Sequence, residues 1–205
     1  MDKKDSHGYG HVKLSYISNI AEEDISKIAG VSRDSATGPD VKKLLSWGHL
    51  SPLEFGSITF ELHCPITVAR QLMRHRTAHY NERSLRHTDA PPDAYVSLKC
   101  RKNPEISSRI DKLKSESLAL YNDMVEAGAA REDARNVLLL GTMTTVYIQY
   151  DLRNFIGMCK QRVSPHAQSE TRWFAASMLR LIKPYFPNVY DYIVKEADYA
   201  EETKA

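Results

Sequence analysis

The run Arg74-His75-Arg76-Thr77-Ala78-His79-Tyr80-Asn81-Glu82-Arg83-Ser84-Leu85-Arg86-His87 holds four arginines and three histidines around a single carboxylate, Glu82. Cations at this density repel one another, and each guanidinium needs an acceptor. An anionic ligand removes that cost. Arginine meets a phosphate, or a planar imide edge, with two parallel hydrogen bonds that lysine cannot copy. A solvated basic loop and a phosphate-contacting patch for nucleic acid are the alternatives. The window follows an apolar segment, Ser57 to Met73, so it is anchored to a core. His75 and His79 stand four apart, as two metal ligands on a helix would. The flanking arginines repel a cation there, and no HExxH pattern accompanies them, so no metal is expected.

Arg-His-Arg at 74–76, seven further residues and then Ser84 resembles the signature of the flavin-dependent thymidylate synthases, with Arg86 two residues on. Upstream, Trp47-Gly48-His49-Leu50-Ser51-Pro52-Leu53-Glu54-Phe55 is similar to that family's Gly-His-x-[Ser/Thr]-Pro-x-Glu segment, and Val68-Ala69-Arg70-Gln71 to its Ala-Arg-Gln helix. Downstream, Ala134-Arg135, Arg153, Arg162 and His166-Ala167-Gln168 follow in the family's order. The resemblance implies an FAD-dependent thymidylate synthase that methylates dUMP to dTMP, with methylenetetrahydrofolate and NADPH as co-substrates. It also implies a homotetramer with sites shared between subunits.

Such a reaction places one carbon on carbon 5 of uracil. That carbon becomes nucleophilic only when negative charge builds on the imide and its flanking oxygens. A guanidinium held against this edge stabilises the charge, by about 3 kcal/mol for a well-placed donor. By resemblance this catalytic group is Arg162; read alone, it is a helix C-terminal cation facing the macrodipole. The resemblance assigns substrate contacts to Gln71, Arg74, Glu82, Arg83, Ser84, Arg86 and Arg135, together with Arg162. Arg135 is otherwise a solvated cation paired with Glu132, and Glu82 otherwise an ion-pair partner that orders the loop. Flavin contacts are implied at Ser51, Arg74, His75, Arg76, Glu82, Asp151, Arg153, Gly157 and His166. There is no GxGxxG or GxxxxGK loop, so a Rossmann mode of binding is not expected.

Several positions depart from the commoner family pattern: His79 for a small serine, His87 for tyrosine, Asp151 for an Asn-like flavin contact, Gly157 for a side-chain amide, and Leu139 for proline. They bear on the flavin side more than on the nucleotide side. A relative that transfers a hydroxymethyl group would share every residue named, and an Arg-rich nucleic-acid binding module is the rival of a different class.

The 205 residues are 42% hydrophobic and 26% charged, with a net charge of +2, an ordinary globular balance too weakly basic to argue for nucleic acid. No apolar run reaches membrane-spanning length, and the charged start, Met1-Asp2-Lys3-Lys4-Asp5, lacks a signal-peptide core, so a cytoplasmic protein is expected. Cys64, Cys100 and Cys159 form neither a paired framework nor a metal site, and none is expected to be a nucleophile.

One α+β domain over 1–205, a central sheet flanked by helices, must position these residues. The patterns predict strands over His11–Ile20, Ser57–His63 and Thr142–Tyr150. Helices are predicted over 21–29, from an Asp40 cap through Trp47, over 66–74, 106–126, 131–140, 151–160, 166–182 and 189–200. Gly48–Pro52 and 88–101 read as loops. In the long helix Ile106, Ile110, Leu113, Leu120 and Met124 form the apolar stripe, interrupted by Ser117.

Overall fold

Ile58, Phe60, Leu62 and Cys64 alternate with more polar neighbours, and that period of two puts all four on one face of an extended strand. In the computed structural model, which describes residues 2–4 and 8–197, they lie on the third of five strands: β1 (Asp2–Lys4), β2 (His11–Ile17), β3 (Ser57–Pro65), β4 (His79–Glu82) and β5 (Met143–Asp151). The order across the sheet is β1-β2-β3-β5-β4, antiparallel throughout. Ile58 faces Tyr150, Phe60 faces Ile148 and Leu62 faces Val146 across the central pair, and all six are fully buried. The opposite face is wetter: Glu61 accepts a hydrogen bond from Tyr147 and His63 sits opposite Thr145.

The described residues form eight α-helices: α1 (Glu22–Gly30), α2 (Val41–Trp47), α3 (Ile66–Leu72), α4 (Pro104–Glu126), α5 (Arg131–Ala134), α6 (Leu152–Arg162), α7 (Ser169–Ile182) and α8 (Pro187–Glu196). All but α4 and α5, which pack on each other and on neighbouring 3-10 turns, contribute to the core over the apolar face. Phe155 of α6 stacks on Phe60 at 5.7 Å and meets Tyr150 edge-on at 5.8 Å. The α+β reading holds. Asp40 caps α2 by accepting from the Lys43 amide, and Val68, Ala69 and Leu72 are the buried face of α3.

Four elements differ from expectation. The helix predicted to reach Arg74 stops at Leu72, and the arginine-rich window crosses a turn and becomes β4, an edge strand paired only with β5. The helix predicted over 131–140 is one turn, α5, followed by a 3-10 turn at Arg135–Val137 and an extended Leu138. Side-chain hydroxyls replace the lost helical bonds there: Ser117 donates to the Val137 carbonyl and Thr142 to that of Leu139. The helix predicted from His166 starts at Ser169. In α4 the stripe is inverted, with Ser117 and Tyr121 buried while Ile106, Leu113 and Leu120 are 46%, 53% and 49% exposed. Residues 198–200 of the predicted last helix lie outside the described residues.

Candidate functional site

The motif turn is built backbone first. His75 N–H bonds the Leu72 carbonyl and Ala78 N–H that of His75, while the Tyr80 hydroxyl lies within reach of both carbonyls, at 2.7 and 2.8 Å. Tyr80 stands opposite Ile148 in the sheet. The turn is therefore fastened to the core by one phenol.

That fastening aims the His75 ring at the end of α6. Arg162, the last residue of that helix, donates from Nε to His75 Nε2 at 3.0 Å and from Nη2 to the Gln71 carbonyl at 3.0 Å. A guanidinium cannot accept, so Nε2 must be the unprotonated nitrogen of a neutral imidazole. Burial and then the Arg162 charge hold the His75 pKa below its ordinary value, in agreement. No carboxylate pairs with Arg162 among the described residues. Its remaining donors are available to a ligand.

Gln71 projects from α3 beside this pair. Its Nε2 donates to Gln168 Oε1 at 2.7 Å, and its Oε1 accepts from the Thr171 hydroxyl at 3.0 Å. Behind Gln168 lies Glu170, 2% exposed, which accepts from Tyr95 at 3.0 Å and from Ser169 at 3.2 Å.

A cleft of about 590 Å³ opens where β4 ends, lined in part by Arg70, Glu82, Arg83, Ser84, Arg135 and Thr144. Four of the predicted substrate residues meet here. Arg135 sits in the 3-10 turn, not in mid-helix, and only its Nε is engaged, by the Glu132 carbonyl at 3.2 Å. Glu132 pairs with Arg86 instead, at 2.6 Å. Arg83 is committed to its own loop, donating to Thr88 Oγ1 and the Asp89 carbonyl. Ser84 Oγ accepts from the Arg86 amide at 3.3 Å. Glu82 is half-buried and makes no ion pair among the described residues.

A second groove, of about 340 Å³, runs past Arg33, Gly48, His49, Ser51 and Arg153. Arg153 pairs with Glu54, not with Asp151. Both Asp151 oxygens are taken by Asn154, which it caps through the backbone amide at 2.8 Å and meets again through the side chain. A Cβ built on Gly157 would meet nothing within 4 Å, so the α6 surface is open there. Arg74, Arg76 and His166 are exposed. The predicted residues thus gather in three places, around Arg162, in the cleft and in the groove, with Arg74, Arg76, Arg86, Asp151, Gly157 and His166 outside these groups.

Sequence reasoning missed Arg70, Thr171, Glu170 and Tyr80 as parts of these constellations. Arg70 was legible in Ala-Arg-Gln, because a helix that buries Ala69 and Leu72 turns Arg70 outward. Nothing in the sequence marks Glu170, a carboxylate in the first turn of a helix, as buried. Cys64 and Cys159 are buried with thiol pKa values pushed up by desolvation, and Cys100 is exposed in the turn Leu98–Arg101.

An antiparallel sheet in an α+β fold thus carries an arginine-rich turn, with guanidinium donors left over beside a neutral imidazole, and such a set of donors can meet an anionic, planar group. Residues 2–188 match the family described as "Thymidylate synthase complementing protein", and the chain belongs to that family. It is 35% identical over 184 residues to the flavin-dependent thymidylate synthase of Wolbachia pipientis wMel, covering 80% of this chain and 64% of that protein. It is 34% identical to the enzyme of the same name from Thermotoga neapolitana, over 77% of this chain and 76% of that one. The chain thus spans less than two thirds of the Wolbachia relative. Among solved structures, the UMP/dUMP methylase PolB from Streptomyces cacaoi, bound with 5-Br dUMP, superposes with a TM-score of 0.82 at 24% identity, over 91% of this chain and 95% of that one. That likeness establishes the fold.

Proposed function

We propose that this chain is an FAD-dependent thymidylate synthase that methylates dUMP, taking the carbon from methylenetetrahydrofolate and reducing equivalents from NADPH. The observation that carries the reading is Arg162: half-buried, without a carboxylate partner among the described residues, and held at Nε and Nη2 by acceptors that leave other donors free. Set against the imide edge of uracil, those donors stabilise the charge that makes carbon 5 nucleophilic. His75 and the Gln71 carbonyl fix the guanidinium plane in advance, so little ordering is left for the moment of reaction. Cysteine attack is not needed, and the two buried thiols are poor candidates for it.

The nucleotide phosphate requires cations of its own. Arg135, with its Nη groups free in the cleft beside Ser84, is the first candidate, and Arg86 joins it by exchanging Glu132 for phosphate. Gln71, Arg74, Glu82 and Arg83 complete the substrate side. Ser51, His75, Arg74, Arg76, Arg153, Glu82 and His166 would hold the flavin, a donor set suited to a pyrophosphate, and the open surface over Gly157 leaves room beside it. When bound, the flavin supplies the redox chemistry. Asp151 fits this role poorly, since its oxygens are already spent on the α6 cap.

The separation of these groups on one chain supports a homotetramer in which neighbouring subunits complete each site. The apolar residues exposed along α4 are suited to that contact. The test is product analysis: the purified protein, flavin-loaded, given dUMP, methylenetetrahydrofolate and NADPH, should form dTMP. A colourless protein that refuses FAD, or one that forms no methylated nucleotide, would refute the reading.

A further inference from the structure

Thr144 lies on the apolar face of β5, two residues before Val146 and opposite Cys64, and is 4% exposed. A valine would fill such a place equally well. The other buried polar residues all use their side chains. Ser117 donates to the Val137 carbonyl, Thr142 to that of Leu139 and Thr171 to Gln71 Oε1, while Ser177 accepts from Arg180 and Glu170 from Tyr95. The Thr144 hydroxyl makes no hydrogen bond among the described residues. Burying a hydroxyl without a partner disfavours the fold, so the group needs a reason to be there. Thr144 lines the cleft that also holds Arg70, Glu82, Ser84 and Arg135, and a partner for its hydroxyl can enter through that opening.

Glu82 narrows what the partner is. It faces Val146 across β4 and β5, so its side chain stands on the same face of the sheet as Thr144, on the neighbouring strand. It makes no ion pair among the described residues. A phosphate set between these two side chains would meet the charge of the carboxylate at close range. A ligand hydroxyl would not: it donates its hydrogen to the carboxylate and accepts from Thr144 with a lone pair. The guanidiniums of Arg70 and Arg135 lie in the same cleft and suit the phosphate. A nucleotide brings both groups a few bonds apart, and the deoxyribose of dUMP carries one free hydroxyl, on carbon 3′.

We propose that Thr144 is a substrate-binding residue: it donates a hydrogen bond to the 3′-hydroxyl of the deoxyribose while Glu82 accepts from that hydroxyl. The inference rests on the reading of this cleft as the phosphate side of a dUMP site. It makes the cleft selective for the sugar, since a nucleotide lacking the 3′-hydroxyl leaves both side chains unpaired.

Thr144→Val keeps the branched shape and removes the hydroxyl. Titration calorimetry with dUMP and with 2′,3′-dideoxyuridine 5′-monophosphate closes a cycle of two proteins and two nucleotides. The flavin-loaded wild type should bind dUMP at least tenfold more tightly than the dideoxy nucleotide. In Thr144→Val the dissociation constant for dUMP should rise roughly tenfold and that for the dideoxy nucleotide less than twofold, with FAD content unchanged. Thr144→Ser, which restores a hydroxyl, should recover most of the preference for dUMP; a role in packing alone would not produce that pattern. If Thr144→Val fails to fold, Thr144→Ala removes the same hydroxyl without adding atoms and must show the same selective loss. A variant that weakens both nucleotides equally, or neither, overturns the inference alone, as does a wild type that binds dUMP but is indifferent to the 3′-hydroxyl. A wild-type protein that binds no dUMP overturns the functional reading and this inference with it.

Discussion

At the scale of single residues, the Arg162–His75 contact makes the sharpest demands. An ammonium in place of the guanidinium cannot reach His75, the Gln71 carbonyl and a ligand together. Arg162→Lys should keep the thermal midpoint and the flavin while kcat falls on the order of 10²-fold, the scale of one lost transition-state donor; near-normal turnover would remove Arg162 from the chemistry. His75 gives the pH dependence. Its pKa is depressed by burial and by Arg162, so the folded protein resists protonation where an ordinary histidine, at 6.5, accepts a proton. Below 6.5 the unfolded chain binds more protons than the folded one, and stability falls with pH until the folded pKa is passed. Turnover should persist through that window and drop at its acid end, where an imidazolium can no longer accept from Arg162. A pH–rate profile for kcat that is flat down to the carboxylate range would contradict this. The Arg-rich motif was readable because its residue types are unusual; Thr171, which bonds Gln71, and the buried Glu170 were not, because ordinary residues become important only when folding brings them close.

At the scale of elements, Asp151 separates a structural from a cofactor role. It is the α6 cap, and Asp151→Ala should cost about 1 kcal/mol of stability by loss of that cap. If capping is its whole contribution, the variant will retain its full flavin complement by absorbance; a stable but flavin-poor variant would restore the cofactor assignment. Strand β3 was legible because Ile58, Phe60 and Leu62 alternate with more polar residues, β2 because Val12, Leu14 and Tyr16 do so in part, and β5 because its run is rich in β-branched residues. Strand β4 was not, since His79-Tyr80-Asn81-Glu82 offers one hydrophobic side chain and borrows its order from β5. The loss of helix after Ala134 was hidden for a similar reason. The Ser117 hydroxyl that takes up the Val137 carbonyl comes from the preceding long helix, 20 residues away, and local propensity does not see it.

At the scale of the whole molecule, the inverted stripe of α4 becomes intelligible. Positions 106, 110, 113, 117, 120 and 124 alternate steps of four and three, the spacing of a seam between packed helices. Within one chain only Ser117 of this seam is buried, against the Val137 carbonyl, while Leu113 and Leu120 stay about half exposed. Burying such leucines in a partner is worth about 25 cal/mol for each Å² of apolar surface removed from water. A charge at each of two seam positions reverses that gain, because a buried carboxylate without a counterion is strongly disfavoured. Leu113→Glu/Leu120→Glu should therefore leave the monomer fold intact, since both side chains are about half exposed in it, and, if the proposed homotetramer is the starting state, lower the mass measured by light scattering from four subunits to fewer. The same variant should lose flavin, because Ser51 and Arg153 lie in a groove lined by none of the arginines of the motif turn. A variant that stays tetrameric would move the interface to another face. One that dissociates yet keeps its FAD would show that a single chain holds the cofactor unaided.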